Sequence, residues 1–224
     1  MKSISITKRL NRLKAIPKYL LVGYRALEGI LVTLRLYLDK VVIDTKYYPM
    51  TQLLLLVNLI VFILQTHYRP FTAMFALDSS IWYTYITSCF LHANVPHLVG
   101  NMIVLSIIAP VLERNYSSKF LGLATLLTGI SGSLLFAYFI PMGSYIGASG
   151  ITRGLAMLWV IHNLINKRIL LIVPVLFGVM MQGVSSGISL IKPDGIGYLV
   201  HYGSALGALF LLPIIVNKHI KELK

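Results

Sequence analysis

The stretch "SYIGASGITRG", residues 144–154, decides how this chain is read. It sets Ser149 among Gly147, Gly150 and Gly154, with strongly apolar sequence on either side. A serine there is either a small residue that lets helices approach, or a nucleophile. A nucleophile needs a base to take its proton and water to complete hydrolysis, and neither is apparent in the stretch itself.

Outward from this stretch the chain is apolar almost throughout. Apolar residues make up 57% of the 224 positions and the mean hydropathy is +0.78, too high for a soluble domain with a polar surface. The formal charge of +13 first suggests a nucleic-acid partner. Half of the 20 Lys and Arg, however, precede residue 50 and the rest sit in short connections. That distribution is a membrane-topology pattern, and no nucleic-acid partner is expected. The single cysteine, Cys89, excludes an internal disulfide framework and a multi-cysteine metal site. Neither a metal nor a cofactor is expected. The first thirty residues lack the compact apolar core and small-residue cleavage site of a signal peptide.

A bilayer core takes about 20 apolar residues of helix. Six runs qualify: 50–66, 97–112, 120–140, 147–165, about 169–187 and about 196–216. Six spans put both termini on one side, and basic residues test the count independently. The N-terminal region, the connection with Arg114 and Lys119, the one with Lys167 and Arg168, and the tail with Lys218, Lys221 and Lys224 fall on one side. Only Arg69 and Lys192 fall on the other. The expectation is an all-α, polytopic bundle in the cell membrane with both termini cytoplasmic. It divides into a basic region 1–48, a six-helix membrane domain 49–217 and a short basic tail 218–224.

The first 48 residues carry a narrow polar stripe. On one helix Lys14, Lys18, Arg25, Glu28, Arg35, Asp39 and Lys46 fall within an arc of roughly 100°. Leu, Val, Ile and Tyr lie between them. This suits an amphipathic helix in the cytoplasmic interface, its basic face toward anionic lipid. A regulatory or partner-binding arm is the alternative.

Polar groups at membrane depth are costly, which makes them functional candidates. His92 and His97 flank the start of the second span, and Asn101 lies one turn beyond His97 on the same face. Ser149 opens the fourth span, Arg153 follows it on the same face, and His201 lies near the start of the sixth. Gly150 and Gly154 form one G-x-x-x-G, and Gly203 and Gly207 another. Such pairs let helix backbones approach closely. If the two glycine faces meet, Ser149 and His201 arrive at similar depth, and a neutral imidazole takes the serine proton during attack. Glu113, Asp78 and Asp194 lie in connections, so a Ser–His dyad is more economical than a triad. A soluble hydrolase elbow is excluded, because it needs glycine where Ile151 stands. The Ser149 backbone N–H, with His97 and Asn101, supplies candidate donors to an oxyanion.

These residues resemble the rhomboid family of intramembrane serine proteases. "HANVPHLVGNM" is similar to the family's H-x4-H-L-x2-N-M element, "GASG" to its nucleophile motif and "HYGSALG" to its H-x-G-G element with a following glycine. "IWYTYITSCFLH" matches the family's approach to the first histidine more loosely, and "LERNYSSKFL" resembles its acidic connection after the second span. The resemblance covers residues 50–216. It implies Ser149 as nucleophile, His201 as general base, and Asn101, His97 and the Ser149 N–H as the oxyanion site. It implies a structural role for His92, a nucleophile turn shaped by Gly147 and Gly150, and a helix contact at Gly203 and Gly207. It also implies a short fourth span beneath a water-filled cavity open to the outside, and a lipid-embedded, partly helical first connection.

Two positions depart from the family pattern. Ser204 replaces the second glycine of the H-x-G-G element, a small-for-small change. Arg153 stands where the family usually has an aromatic against the catalytic histidine. Facing His201 it would favour the neutral, proton-accepting imidazole; paired elsewhere it would disturb the site. The expected activity is endoproteolysis of transmembrane-protein substrates near the outer leaflet. The alternative is a catalytically impaired rhomboid-like protein that binds or escorts membrane proteins. A small transporter fits less well, because the chain lacks inverted repeats.

Overall fold

The computed structural model describes residues 48–167 and 196–222. The amphipathic stripe expected before residue 48, the fifth span and Asp194 lie outside the described residues. Within them the protein is helical, with no strand. α1 is Pro49–His67, α2 Pro70–Phe75 and α3 Thr84–Thr87, followed by a 3-10 turn at Ser88–Phe90. α4 is Val95–Tyr116, α5 Ser118–Phe139, α6 Ser149–Ile165, α7 Ile196–Leu209 and α8 Leu212–Glu222.

α1, α4 and α5 are each long and apolar enough to cross a membrane. At 1.5 Å per residue, a 22-residue helix is roughly 33 Å long, close to the thickness of a hydrocarbon core. α1 leaves Leu53, Leu56, Ile60 and Ile63 exposed, which is costly in water and neutral against lipid. α6 has 17 residues, roughly 25 Å, and is too short for the full thickness.

Helix ends fall where the sequence supplies caps. The Asn94 side chain accepts from the His97 N–H at 2.8 Å and Pro96 follows within the first turn of α4, where a missing N–H costs nothing. α1 is capped from outside itself. The buried Glu113 carboxylate, near the end of α4, accepts from the Met50 and Thr51 N–H groups at 2.8 Å each. It also accepts from Thr51 Oγ1 and Ser118 Oγ at 2.7 Å each. A negative charge at a helix N-terminus satisfies donors that the helix itself leaves open. One side chain thus ties α1, α4 and the start of α5 together.

The last expected span is broken. α7 ends at Leu209 and α8 starts at Leu212, the pair bent by 42°. Pro213 has no N–H to donate to the Leu209 carbonyl, so the ladder cannot run through. The chain tightens instead, Phe210 N–H donating to Gly207 O at 3.3 Å and Leu211 N–H to Ala208 O at 3.0 Å. α8 runs to Glu222, past the point where the tail was expected to begin.

The glycines pack, but not against each other. Gly203 and Gly207 on α7 face α5: a Cβ on Gly203 would lie 2.5 Å from Ser131 O, and one on Gly207 2.5 Å from Ser131 Oγ. Gly150 on α6 meets a different side of α7, where a Cβ would lie 2.8 Å from Ser204 Oγ, while Gly154 is crowded first by the Thr128 side chain of α5 and then by Ser204 O of α7 at 3.0 Å. Gly132 of α5 abuts the same Ser204 hydroxyl. Ser204 is fully buried, and its hydroxyl donates to Val200 O of its own helix at 2.8 Å. The expected meeting of two glycine faces is replaced by a three-helix contact, with α7 lodged between α5 and α6. The reason is geometric: Gly203 and Ser204 are about 100° apart around α7, so they serve two neighbours.

Gly207→Val should force α7 from α5 and lower stability by about 3 kcal/mol, read as a fall in the melting temperature in detergent. Glu113→Ala, which strands buried donors of α1, should cost a similar amount, about 3 kcal/mol. A melting temperature unchanged by it would contradict the capping role.

Candidate active site

Ser149 is the first residue of α6, and it is held from outside that helix. The connection from α5, residues 140–148, is bonded to the first connection at three points. Leu77 N–H donates to Tyr145 O and Gly147 N–H donates to Ser88 O, each at 2.9 Å. Ser79 Oγ donates to Pro141 O at 2.6 Å. Gly147 has φ +139, a conformation that side chains disfavour. A Cβ there would also lie 2.8 Å from His97 Cε1, so two independent constraints require glycine before the serine. The first ladder bond of the helix is Thr152 N–H to Ala148 O at 2.9 Å, which leaves the preceding N–H groups outside the ladder.

α7 brings His201 to this point. His201 Nε2 lies 3.0 Å from Ser149 Oγ, across 52 residues of sequence. The contact has the length of a hydrogen bond between a serine and a neutral imidazole.

His97 and Asn101 line α4 beside the serine turn. The His97 ring abuts Gly147, and its Nδ1 accepts a long bond from Ala93 N–H at 3.5 Å. Asn101 is fully buried; its Nδ2 donates to His97 O at 2.9 Å and its Oδ1 accepts from Thr152 Oγ1 at 3.3 Å. Thr152 also donates to Ser149 O at 3.0 Å, so it joins Asn101 to the serine turn. His92 is buried with its ring edge-on to His97, centroids 5.3 Å apart. Its main chain is clamped by Gln65 of α1, which accepts from His92 N–H at 2.9 Å and donates to His92 O at 3.2 Å.

Arg153 is partly buried, and its Nε has no hydrogen-bond partner among the described residues.

Three residues at the site escaped the sequence reading. Thr152 and Gln65 carry only weak signals, one polar residue each on an apolar helix. Tyr145 is the third. Its hydroxyl lies 2.6 Å from Ser149 Oγ and 3.4 Å from Gly147 O. It sits within the stretch that decides the reading, four residues before the serine, but nothing in the spacing says that a loop residue turns back onto it.

A helical bundle whose longest helices are apolar enough to cross a bilayer defines a membrane protein. The chain belongs to the rhomboid family, whose domain matches residues 79–218, more than half of its length. It is 31% identical over 144 residues to RHOMBOID-like protein 4 of Arabidopsis thaliana, covering 60% of this chain and 34% of that one. It is 28% identical over 130 residues to Rhomboid-related protein 2 of Mus musculus, covering 52% and 43%. A shorter stretch of 70 residues is 40% identical to RHOMBOID-like protein 6, mitochondrial, of Arabidopsis thaliana, covering 31% and 23%. The chain therefore spans less than half the length of these relatives.

Gly147→Ala should cost roughly 2 kcal/mol from the left-handed backbone and the His97 overlap. The corresponding drop in melting temperature, compared with Ala148→Ser as a control in the same turn, measures it.

Proposed function

We propose that this protein is an intramembrane serine endopeptidase that cleaves transmembrane segments of membrane-protein substrates near the outer leaflet. The observation that carries the reading is the 3.0 Å contact between Ser149 Oγ and His201 Nε2. Ser149 is the nucleophile and His201 the general base. As Oγ attacks the scissile carbonyl, its proton passes to Nε2, and the carbonyl electrons move onto oxygen. The Ser149 N–H at the start of α6, together with His97 and Asn101, receives that oxyanion. His201 then protonates the leaving amine. Water, deprotonated by the same histidine, hydrolyses the acyl-enzyme and releases Ser149. No metal or nucleotide takes part.

The surrounding arrangement belongs to the same proposal. Six spans in the cell membrane, both termini cytoplasmic, place the site toward the outer face, consistent with the basic residues in the sequence. A basic amphipathic region before residue 49 would rest on anionic lipid. A helical substrate must unwind locally before its carbonyl reaches Ser149, so small or helix-breaking residues are expected near the cut.

A second reading is favoured by one observation, the partly buried Arg153, whose Nε has no hydrogen-bond partner among the described residues. A partly buried cation one helical turn after the serine fits a rhomboid-like binder or escort that has lost its chemistry. Labelling with a fluorophosphonate separates the two. Label on wild type that disappears in Ser149→Ala and His201→Ala marks the enzyme, whereas no label across detergents and lipids marks the binder.

With a reconstituted transmembrane substrate, Ser149→Ala and His201→Ala should each abolish cleavage, and activity surviving in either ends the dyad assignment. Asn101→Ala should slow turnover by roughly a hundredfold with substrate binding retained. An unaltered rate would remove Asn101 from the oxyanion site.

A further inference from the structure

The serine hydroxyl has two partners, not one. Ser149 Oγ lies 2.6 Å from Tyr145 Oη and 3.0 Å from His201 Nε2. A serine carries one proton and accepts through its lone pairs, so the two bonds must run in opposite senses to be productive. The general-base role requires Ser149 to donate to His201, and Tyr145 must then be the donor to Ser149. The surroundings of the tyrosine favour that direction. Among the described residues the other acceptor for the phenol proton is Gly147 O, at the far longer distance of 3.4 Å.

We propose that Tyr145 is a catalytic residue of this site, its hydroxyl donating to Ser149 Oγ and so committing the serine's proton to His201 Nε2. This rests on the protease reading. In the first half of the reaction the O–H bond of Ser149 breaks toward Nε2 as the new bond from Oγ to the scissile carbon forms. Tyr145 fixes that proton's direction before substrate arrives. In the second half, water attacks the acyl carbon, His201 takes a proton from it, and the bond from carbon to Oγ breaks. Oγ then leaves with developing negative charge and recovers a proton from the imidazolium. A donor already on Oγ stabilises that charge, and charge-assisted bonds are the stronger kind.

The tyrosine is held in place independently of its hydroxyl. Its carbonyl accepts from Leu77 N–H at 2.9 Å, and its ring packs on Phe136 with centroids 5.8 Å apart. Leu77, Phe136 and Val200 form a small buried cluster of their own, against which Tyr145 packs. Tyr145→Phe therefore removes the donor and keeps the packing.

The test compares wild type, Tyr145→Phe and Ser149→Ala in a reconstituted cleavage assay and in fluorophosphonate labelling, with melting temperatures in the same detergent. Tyr145→Phe should lower kcat roughly tenfold, leave KM within about twofold, and keep the wild-type melting temperature. 3-Fluorotyrosine introduced at position 145, which retains ring and donor, should restore most of the rate. A kcat equal to wild type in Tyr145→Phe overturns the role of the tyrosine while leaving the dyad intact. A loss explained by a lowered melting temperature, or not restored by 3-fluorotyrosine, overturns it as well, because the effect is then packing. Wild type that neither cleaves nor labels overturns the protease reading and this inference with it.

Discussion

The distance from Ser149 to His201 depends on how closely α7 can lie between α5 and α6. Lipid offers no hydrophobic drive for helices to associate, so van der Waals contact between backbones must supply it. That contact requires surfaces with small side chains or none, and α7 has two of them. Gly203 and Gly207 admit α5, while Ser204 faces both Gly132 of α5 and Gly150 of α6. Ser204 costs little in this apolar seam because its hydroxyl is bonded to Val200 O of its own turn. A side chain any larger on these positions would separate the helices by a fraction of an ångström or more, comparable with the tolerance of the Ser149–His201 bond.

The serine side of the contact is set by different means. The turn before α6 takes its shape from main-chain bonds to the first connection, at Leu77 and Ser88, and from the left-handed Gly147 against His97. The first connection, short helices and turns, thus acts as a wall that positions the site. At the other end of the bundle the Glu113 carboxylate closes α1 onto α4 and α5. α1, largely exposed along its length, is fixed by that cap at one end and by Gln65 on His92 at the other. Polar anchors at helix ends and bare backbone at mid-helix divide the work between them.

Much of this was legible before any coordinates. The apolar runs 50–66, 97–112, 120–140 and 147–165 match α1, α4, α5 and α6 within a few residues, because a bilayer imposes both length and composition. Ser149, His201, His97 and Asn101 stood out because polar groups are rare in such runs, and the structure brings Ser149 to His201 and sets His97 and Asn101 beside the serine turn. The glycine pairing was misread. Periodicity shows that a helix has a bare face but not which neighbour fills it, and Gly132, the α5 partner, carries no signal of function. Pro213 was readable as a break in principle, yet the run around it is apolar enough to pass as one span. Tyr145 lies in a loop, where no period exists to say which way a side chain turns.

The amino-acid sequence alone determined the helical class, the position of the long apolar helices among the described residues and the membership of polar residues in a small set. Each of these follows from local chemistry: solvent imposes apolar runs, and caps and prolines end helices. Only the tertiary structure decided which helices are neighbours, that α7 has two packing faces, and that Ser149 Oγ lies between Tyr145 and His201. Those are relations across tens of residues, fixed by the fit of backbone against backbone, and a one-dimensional pattern does not specify that fit.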